Sequence, residues 1–468
     1  MTGRMGTGWD AVIGDDRWRS SEVLWVEGGT EHSWRRVDEL AAGVEAAVRA
    51  APGTVVVLVR AASRLGAFAG QLGAWRAGRV VAVDDGLGPA ELARVRPDLV
   101  LSVPVDGPPE VVEVAAGGLP ADRLPPEVVA VNFTSGSTGA RKAVAVTRDN
   151  LAALFGCRGL DVPVEGRLVA ANFASPAYDG WWFDTWKTAA VGGVVVCLPK
   201  VTDDVFAWPE LVERYGVHRV LLPAAVVATL VQSLPECVED IPWVFSGGER
   251  FRVATVRQAR DAGLTTRFVN LYGPTEATFA THGHVLPADP AELTEIPIGT
   301  PLDGCAQRLE QRDNGTELVV SGPVVCLGYL DHGRVADRFP TEGGHAVYRT
   351  GDLVRPDADG ALVFVARLDS QVKVNGVRVD TAALETEVTA LPGAADCRVV
   401  QDGADTVAFV RVGGPGTSPT EVEPVVKRFS PAIAVELLDG FPVKDGGKVD
   451  ARALMELYRT RTRTGEHV

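Results

Sequence analysis

A loop rich in glycine and hydroxyl side chains is the segment whose composition points most directly to chemistry. The stretch VNFTSGSTGARKAV covers 131–144, where an apolar run leads into Thr134 and the loop ends near Lys142. Glycines let the backbone wrap around an anion, while N–H groups, hydroxyls and a lysine supply donors and positive charge. The GxxxxGK[ST] phosphate loop is excluded, because its second glycine, counted from Gly136, would fall on Arg141. The sequence predicts a phosphate cradle of another kind, with an ordinary Ser/Gly turn as the alternative.

Further segments place charged or polar side chains beside apolar runs. Taken singly, an aspartate in a turn or a lysine in a glycine-rich loop usually reflects turn chemistry or solvation. Their value lies in their shared order along the chain. The segments are NLYGPTE at 270–276, YRTGDL at 348–353, RLDSQVKVNG at 367–376 and GGKVD at 446–450.

Short β-branched runs alternate with helical patterns and would position these segments. The helix predicted at 34–50 has apolar residues spaced by three and four, with Ser33 as its N-cap. Continuous apolar strands between helices predict an α/β fold with mostly parallel sheets covered on both faces. The predicted strands lie at 55–59, 80–83, 99–103, 128–133, 168–171, 194–198, 220–222 and 244–245.

After about residue 300 the pattern changes to shorter alternating segments, which predict an antiparallel β-subdomain. Beyond Asp369 the sequence predicts a strand pair, a helix, two more strands near 397–411, a helix near 419–428 and a last helix. We therefore expect a large N-terminal domain, 1–368, and a small α+β domain, 369–468.

Composition narrows the classes of function. The chain has 468 residues and a formal net charge of −15, which disfavours nucleic acid as a partner. The six cysteines show no metal-finger or secreted spacing, so we expect them to be buried and reduced. No apolar run approaches the roughly 20 residues of a membrane span, so we expect a cytoplasmic protein without a membrane partner.

In their shared register these motifs make the sequence similar to the adenylate-forming superfamily, specifically the amino-acid adenylation domains of nonribosomal peptide synthesis. The resemblance extends over essentially the whole chain. It implies two sheets flanked by helices, a β-subdomain and a small mobile C-terminal domain. It also implies ATP-dependent activation of a carboxylate, which requires neutralising two anions held in line.

The resemblance assigns the ATP site residue by residue. Tyr272 would lie against the adenine, Thr275 would contact the α-phosphate, and Glu276 would bind Mg²⁺. Asp352 would accept both ribose hydroxyls with Arg367 beside it. Lys448 would enter between the substrate carboxylate and the α-phosphate, and Lys448, Thr275 and Glu276 form the catalytic set. The other expected ATP contacts are Thr134, Ser135, Gly136, Ser137, Thr138, Gly139, Lys142 and Gly247.

The substrate segment is SPAYDGWWFD at 175–184. Asp179 matches the aspartate that pairs with the substrate ammonium in the amino-acid members, with Tyr178 in place of the usual phenylalanine. A carboxylate facing an apolar pocket is costly without a cation, which favours an amino acid, although a solvated loop aspartate is the alternative. The implied pocket contains no charge, which predicts a small or medium apolar side chain with Ser246 as the polar contact. Its expected lining is Gly180, Phe183, Leu221, Val244, Ser246, Leu271, Phe279 and Ala280.

The resemblance also implies a second half-reaction. The C-terminal domain would rotate about Asp369 and admit the phosphopantetheine thiol of a carrier protein. No carrier attachment sequence follows Lys448 and no HHxxxDG motif precedes residue 30. We therefore expect a free-standing enzyme of natural-product biosynthesis, such as antibiotic synthesis, that loads a separate carrier protein, with a small activator protein as a further candidate partner.

Several alternatives stay open on sequence grounds. An acyl- or aryl-coenzyme A ligase, a β-amino acid adenylating enzyme or a silent carrier-binding scaffold could share the fold. Two departures from the family pattern are Arg141-Lys142-Ala143, where Pro-Lys-Gly is usual, and Ala366, where glycine is usual. The pair His282 and His284 could bind a metal but more plainly indicates a structural or surface role. The tryptophans at 181, 182 and 186 indicate packing.

Overall fold

A computed structural model describes most of the chain. The described residues are 9–14, 16–104, 107–114, 120, 122–134, 141–313, 315–368, 371–374, 377–403, 405–413, 419–444 and 449–464. Two compact units divide the chain. The first comprises Met1–Arg308 and Val319–Tyr348, and the second comprises Leu309–Leu318 and Arg349–Val468. The predicted boundary at Asp369 lies outside the described residues and stays a prediction.

The first sheet of unit 1 is mostly parallel. Its neighbours from Arg267–Tyr272 through to Val23–Glu27 run parallel, and only the pairs at the two edges are antiparallel. Continuous apolar strands such as Arg219–Pro223 suit this burial on both faces. In spatial order the strands are Thr300–Pro301, His282–Val285, Arg267–Tyr272, Trp243–Gly247, Arg219–Pro223, Val169–Asn172, Val194–Cys197, Val23–Glu27 and Thr30–Ser33.

The second sheet of unit 1 is mixed. The central strands are parallel, but Val128–Phe133 is followed by its direct neighbour Ala143–Thr147, and a short return of this kind must be antiparallel. The predicted α/β class is confirmed, with the refinement that this sheet is mixed rather than mostly parallel. In spatial order its strands are Arg334–Arg338, Gly328–Asp331, Ala143–Thr147, Val128–Phe133, Val80–Val83, Val56–Ala61, Leu99–Val103 and Glu110–Val114.

Helices cover the sheets of unit 1. Trp34–Arg49 begins where predicted, because the Ser33 hydroxyl accepts a hydrogen bond from the Arg36 backbone N–H, and its apolar side is buried. Trp182–Lys187 is a π-helical turn. The α-helices are Trp9–Ile13, Trp34–Arg49, Arg64–Arg76, Pro89–Val95, Arg148–Gly156, Thr188–Ala190, Val201–Asp204, Trp208–Tyr215, Ala224–Ser233 and Val253–Asp261.

Unit 2 holds the predicted small α+β domain. The predicted strand pair is Gln371–Val374 with Val377–Asp380, and the helices Thr381–Thr389, Pro419–Phe429 and Ala451–Thr464 follow as expected. A strand missed by sequence reasoning, Ala434–Leu438, runs parallel to Asp405–Val412, which also pairs with Ala394–Asp402. Strand Leu362–Arg367 pairs antiparallel with 352–356, in agreement with the antiparallel pairing predicted for the short alternating segments after about residue 300.

Candidate active site

The base of the glycine-rich loop is closed by two hydrogen bonds between Thr134 and Lys142. The Thr134 N–H donates to the Lys142 carbonyl at 3.0 Å, and the Lys142 N–H donates to Thr134 Oγ1 at 3.2 Å. These bonds extend the pairing of the two flanking strands. Ser135, Gly136, Ser137, Thr138 and Gly139 lie outside the described residues, so the phosphate cradle itself stays a prediction.

The two cations that end this loop have different surroundings. Arg141 Nη1 donates to both carboxylate oxygens of Asp85, each at 3.0 Å, and the Arg141 backbone N–H donates to Glu91. Lys142 is exposed, and its Nζ lies 4.6 Å from the centre of the Tyr329 ring. The cation aimed at the rest of the site is therefore Lys142, whereas Arg141 anchors the loop.

Glu276 is a buried carboxylate with a fixed orientation. Glu276 is only 8% exposed, and its Oε1 accepts a hydrogen bond from the Tyr329 hydroxyl at 2.5 Å. Burial and the neighbouring Glu276 raise the pKa of Tyr329, so the phenol stays protonated and keeps donating. The Cys326 backbone N–H donates to the Glu276 carbonyl at 2.9 Å. Side chain and backbone of Glu276 are thus both held.

Asp179 and Thr275 meet, although 96 positions separate them along the chain. The Thr275 hydroxyl donates to Asp179 Oδ2 at 2.5 Å. Asp179 precedes the helical segment 180–190 and is only partly exposed. The side chain of Asp179, which is the predicted contact of the substrate ammonium, therefore points toward the turn 273–279. Unit 1 thus brings Asp179, Thr275 and Glu276 together.

Two further predicted ATP contacts lie at the carboxyl ends of neighbouring parallel strands. Tyr272 ends Arg267–Tyr272, with its ring edge-to-face with His282 at 5.8 Å. Gly247 ends Trp243–Gly247, and an added Cβ there would come within 2.8 Å of the Leu271 carbonyl oxygen. Carboxyl ends of strands in such sheets are where ligands bind.

The donor set suits a magnesium ion that is shared with a nucleotide. Among the described residues no group of three or more His, Cys, Asp or Glu side chains could hold a metal ion. Mg²⁺ commonly uses one or two carboxylates and completes its shell with substrate phosphates and water. Glu276, as one oriented carboxylate near the base of the loop, fits that arrangement, whereas an all-protein metal cage does not.

Beside Asp179 lies an apolar cluster of Gly180, Phe183, Leu221, Phe245 and Phe279. The Phe183 and Phe279 rings stack at 5.3 Å, and Phe245 meets Phe183 edge-on at 5.1 Å. A Cβ added to Gly180 would lie 3.0 Å from Leu221 Cδ2 and 3.9 Å from Phe279 Cε2. Glycine at this position therefore keeps space open beside Asp179.

The strand Trp243–Gly247 corrects two of the predicted pocket residues. Side chains alternate between the faces of a strand, and Phe245 is on the face that contacts Phe183. Val244 packs in the core against the helices on the opposite face, and Ser246 shares that face by alternation. The Ser246 Oγ is buried and has no hydrogen-bond partner among the described residues. Phe245 and Gly247 thus replace Val244 and Ser246.

The other two predicted pocket residues are buried close by. Leu271 is the register partner of Gly247 and lies on the same face as Phe245, two residues along. Ala280 follows Phe279 and is 6% exposed. The predicted apolar character is retained at the carboxyl ends of these strands, whereas the arginines on this face, Arg219 and Arg267, begin their strands.

In unit 2, Asp352 and Arg367 are register partners on paired strands. Arg367 Nη1 donates to Asp352 Oδ1 at 2.9 Å, and the carboxylate residue is 6% exposed. The Asp352 N–H donates to Thr350 Oγ1. The predicted neighbours are therefore paired within this unit. Lys448 and Asp369 lie outside the described residues, and their roles stay predictions.

The secondary sequence interpretations have clear outcomes. His282 is buried and bonded to Thr281 and Gln307, and burial lowers its pKa, so it is a neutral structural residue. The indole N–H groups of Trp181 and Trp186 both donate to Gln71, and that of Trp182 to Asn132, which confirms packing. All six cysteines are free, and only Cys305 is partly exposed.

Sequence reasoning missed four residues of this region: Phe245, Tyr329, Thr278 and Arg219. Phe245 could have been found only by knowing which side chains of its strand point to the pocket. Tyr329 lies 53 positions from the carboxylate it contacts, so no local motif reveals it. Thr278 has φ +72° and ψ −50°, with a Phe279 N–H to Ala277 carbonyl bond, a γ-turn that few residues adopt. For Arg219 the sequence does give a local signal, because an arginine inside an otherwise apolar strand is unusual.

Comparisons with known proteins give relatives for this chain. A family model described as AMP-binding enzyme matches residues 104–330. An L-proline–[L-prolyl-carrier protein] ligase of Streptomyces coelicolor is 31% identical over 401 residues, which are 80% of this chain and 73% of the ligase. An L-allo-isoleucine:holo-[CmaA peptidyl-carrier protein] ligase of Pseudomonas savastanoi is 30% identical over 348 residues, 70% of this chain and 58% of that ligase.

Other relatives are longer than this chain. A nonribosomal peptide synthetase, asaC, of Aspergillus flavus is 29% identical over 359 residues, which are 71% of this chain but 35% of the synthetase. Among solved structures, Klebsiella oxytoca NpsA in complex with 3-hydroxyanthranilyl-AMSN has a TM-score of 0.79 at 19% identity and covers 96% of this chain and 99% of NpsA. At that identity the likeness concerns the fold alone. No helix in the described part of the chain is long and apolar enough to span a bilayer.

Proposed function

The chain belongs to the AMP-binding enzymes, the adenylate-forming superfamily of AMP-forming ligases, and on that premise we propose that it activates an amino acid. The reaction joins the amino acid carboxylate to the α-phosphorus of ATP, forming an aminoacyl-AMP and releasing pyrophosphate. The aminoacyl group then passes to the phosphopantetheine thiol of a separate carrier protein, and AMP leaves.

One observation carries this proposal: Asp179 is held beside an apolar cluster by a hydrogen bond from Thr275. A carboxylate there has a polar partner on one side and apolar side chains on the other. A substrate ammonium would meet this carboxylate, and the apolar cluster would receive the substrate side chain. A fatty or aryl acid offers the carboxylate no cation, which disfavours the coenzyme A ligase alternative.

The nucleotide side supports the same reaction. Lys142 offers a mobile positive charge near Tyr329, and Glu276 offers an oriented carboxylate. Bound Mg²⁺ would neutralise developing negative charge on the phosphates. Tyr329 orients Glu276, Thr275 places a hydroxyl near Asp179, and Tyr272 lies at the strand end where adenine is expected. These groups position the two anions, which is the main requirement of such a transfer.

The substrate side chain follows from the apolar cluster. Phe183, Phe279 and Phe245 occupy volume around the space that Gly180 leaves open. The Arg219 guanidinium stacks on the Phe183 ring, but its amino groups donate to acceptors of the protein itself. With Ser246 on the other face of its strand, the polar contact expected from sequence is lost. We therefore propose a small or medium aliphatic amino acid, from alanine to leucine in size.

Amino-acid-dependent pyrophosphate exchange across the twenty common amino acids tests the proposal. We expect the fastest exchange with an aliphatic amino acid, and transfer of its aminoacyl group to a phosphopantetheinylated carrier protein. Fastest exchange with Asp, Glu, Lys or Arg would contradict the pocket, and transfer to coenzyme A instead of a carrier would contradict the acceptor. Lys448→Ala should lower exchange by orders of magnitude and affect transfer from supplied aminoacyl-AMP less.

A further inference from the structure

A buried arginine lies against the apolar cluster. Arg219 is 1% exposed and begins the strand Arg219–Pro223, two residues before Leu221 and on the same face. Its guanidinium carbon is 4.1 Å from the centre of the Phe183 ring. Burial lowers the pKa of Arg219 to about 10, so the group is still protonated at neutral pH. A full positive charge is therefore stacked on a ring of the cluster.

The hydrogen bonds of Arg219 connect separate segments of the chain. Nη1 donates to the Leu160 carbonyl at 3.1 Å, and Nη2 donates to the Phe183 carbonyl at 3.2 Å and to Thr188 Oγ1 at 3.0 Å. Thr188 Oγ1 in turn donates to the Asp184 carbonyl at 2.6 Å. The ring and the backbone of Phe183 are therefore held by the same guanidinium.

A buried carboxylate completes the arrangement. Asp184 is 1% exposed, and its Oδ2 accepts from the backbone N–H groups of Phe173 and Ala174, each at 3.3 Å. The Ala174 Cβ would lie 3.3 Å from a Cβ added to Gly180. Asp184 thus fixes the chain segment that leads into Asp179, while electrostatic attraction links it to Arg219.

The local helix geometry gives these contacts a purpose. Phe183 and Asp184 lie in the π-helical turn Trp182–Lys187, a rare conformation that occurs often at functional sites. Burying a charged guanidinium costs desolvation energy, and apolar residues of similar size would often be as stable. Stability alone is therefore a weak reason for the arginine, and control of the position of Phe183 is a stronger one.

We propose that Arg219 is a positioning residue that sets the depth of the substrate side-chain pocket by holding Phe183 in place, with Thr188 as its hydrogen-bonded support. The inference rests on the proposed function, because it concerns selection among the amino acids that the enzyme activates. A Phe183 ring released from the guanidinium would move aside and admit side chains one or two carbons longer.

Pyrophosphate exchange with L-alanine, L-valine, L-leucine and L-phenylalanine measures this selection. The readout is the kcat/KM of the preferred amino acid divided by that of the next longer one, compared between wild-type enzyme and three variants. Arg219→Lys keeps the charge but loses the planar stack and the forked donors. Thr188→Val removes the acceptor for Arg219 and the donor to the Asp184 carbonyl with little change of shape, and Thr188→Ser keeps the hydroxyl as the matched control.

We expect the selectivity ratio to fall about 10-fold in Arg219→Lys, within the range that one methylene contributes in a hydrophobic pocket. Thr188→Val should lower it about 3-fold for loss of the hydrogen bond that Arg219 donates to Thr188, and Thr188→Ser should leave it within about twofold of wild type. The KM for ATP should stay unchanged in all three variants, because none of these residues faces the nucleotide side.

If Arg219 had a purely structural role, its substitution would lower the melting temperature and reduce exchange equally for all four amino acids. Unchanged selectivity ratios in Arg219→Lys and Thr188→Val would therefore overturn the inference. If Arg219→Lys fails to fold, the contrast between Thr188→Val and Thr188→Ser decides. Absence of exchange by wild-type enzyme with every common amino acid would instead overturn the proposed function, and the inference with it.

Discussion

The turn 273–280 separates two regions of the site that are built in different ways. On its nucleotide side, Lys142, Thr275, Glu276 and Tyr329 are arranged by charge and by directional hydrogen bonds. On its other side, the apolar cluster around Phe183 is arranged mainly by contacts between side chains, with Arg219 holding Phe183. Under the proposed function, the first region would bind groups whose chemistry is the same for every adenylating enzyme, whereas the second would fit one particular side chain.

This difference has a physical consequence for what each region tolerates. A hydrogen bond to a carboxylate depends on one atom, so removing that atom has a large and specific effect. A contact surface depends on volume and shape, so its changes alter selection among substrates before they abolish activity. We therefore expect the largest losses on the polar side and graded changes of selectivity on the apolar side.

Asp179, which lies where the two regions meet, should give the largest effect. We expect Asp179→Asn to lower kcat/KM for the amino acid by roughly 100- to 1,000-fold, because truncating one partner of a buried charge pair costs about 2–5 kcal/mol. The KM for ATP should change little. Pyrophosphate exchange at varied amino acid and varied ATP measures both parameters.

The matched control for this change is Asp240→Asn, which also removes one negative charge, but at an exposed position. It should behave as wild type. An equal rise of both KM values in Asp179→Asn would mean that the aspartate supports the whole site rather than a substrate ammonium.

The next effect should come from the polar side alone. Tyr329→Phe removes the donor to Glu276 but keeps the ring beneath Lys142. A hydrogen bond to a charged group contributes about 1.5–3 kcal/mol, so we expect the KM for Mg·ATP to rise roughly 10- to 100-fold. In a double-mutant cycle with Glu276→Gln the two losses should not add. Additive losses would show that the hydroxyl acts independently of the carboxylate.

On the apolar side, the facing of the strand Trp243–Gly247 gives a paired test. Phe245→Leu should change the selectivity ratio among aliphatic amino acids by about 10-fold, because it reshapes the space next to Phe183. Ser246→Ala, one residue along but on the opposite face, should leave the ratio unchanged. It should be neutral or slightly stabilising, since the buried Ser246 hydroxyl has no hydrogen-bond partner in the described part of the chain. A selectivity change in Ser246→Ala would show instead that Ser246 faces the pocket, as the sequence predicted.

This contrast also explains what could be read from the sequence. The polar side uses residue types that few others can replace, so Asp179, Thr275 and Glu276 were identified from motifs and the structure brings them together. The strands and helices followed from apolar periodicity, as at Trp34–Arg49. The class of fold was predictable for the same reason.

The apolar side was less accessible to sequence reasoning. A strand buried on both faces, such as Trp243–Gly247, has no alternation that tells which residues face the pocket. A register displaced by one residue exchanges every side chain between the faces. Val244 and Ser246 were therefore chosen where Phe245 and Gly247 belong, and Arg219 remained hidden in an apolar strand.

Thr278 joins the two regions and should affect both moderately. Its γ-turn lies between Glu276 and Phe279, and its hydroxyl donates to the Val324 carbonyl at 2.6 Å. Thr278→Val removes that bond and should raise the KM for amino acid and for ATP by a few-fold each, consistent with a cost of about 1 kcal/mol. Thr278→Ser should behave as wild type. A change in only one KM would show that the two regions are positioned independently.

The smallest expected effect concerns stability on the apolar side. Burial raises the pKa of Asp184 to about 7 against the attraction of Arg219 and Arg64, with the Cys197 thiol as a further neighbour. The unfolded chain ionises an aspartate near pH 4. Between these values the folded state holds a proton that the unfolded state releases, so the contribution of Asp184 to the free energy of unfolding falls as the pH rises and levels off above about pH 7.

Asp184→Asn cannot titrate, so the melting temperature of wild type minus that of the variant should decrease from pH 5 to pH 7 and then stay constant. Because Glu276 and Asp179 lie on the polar side, the same measurement on Glu276→Gln should not remove this slope, and a slope that persists in Asp184→Asn would mean that another group titrates.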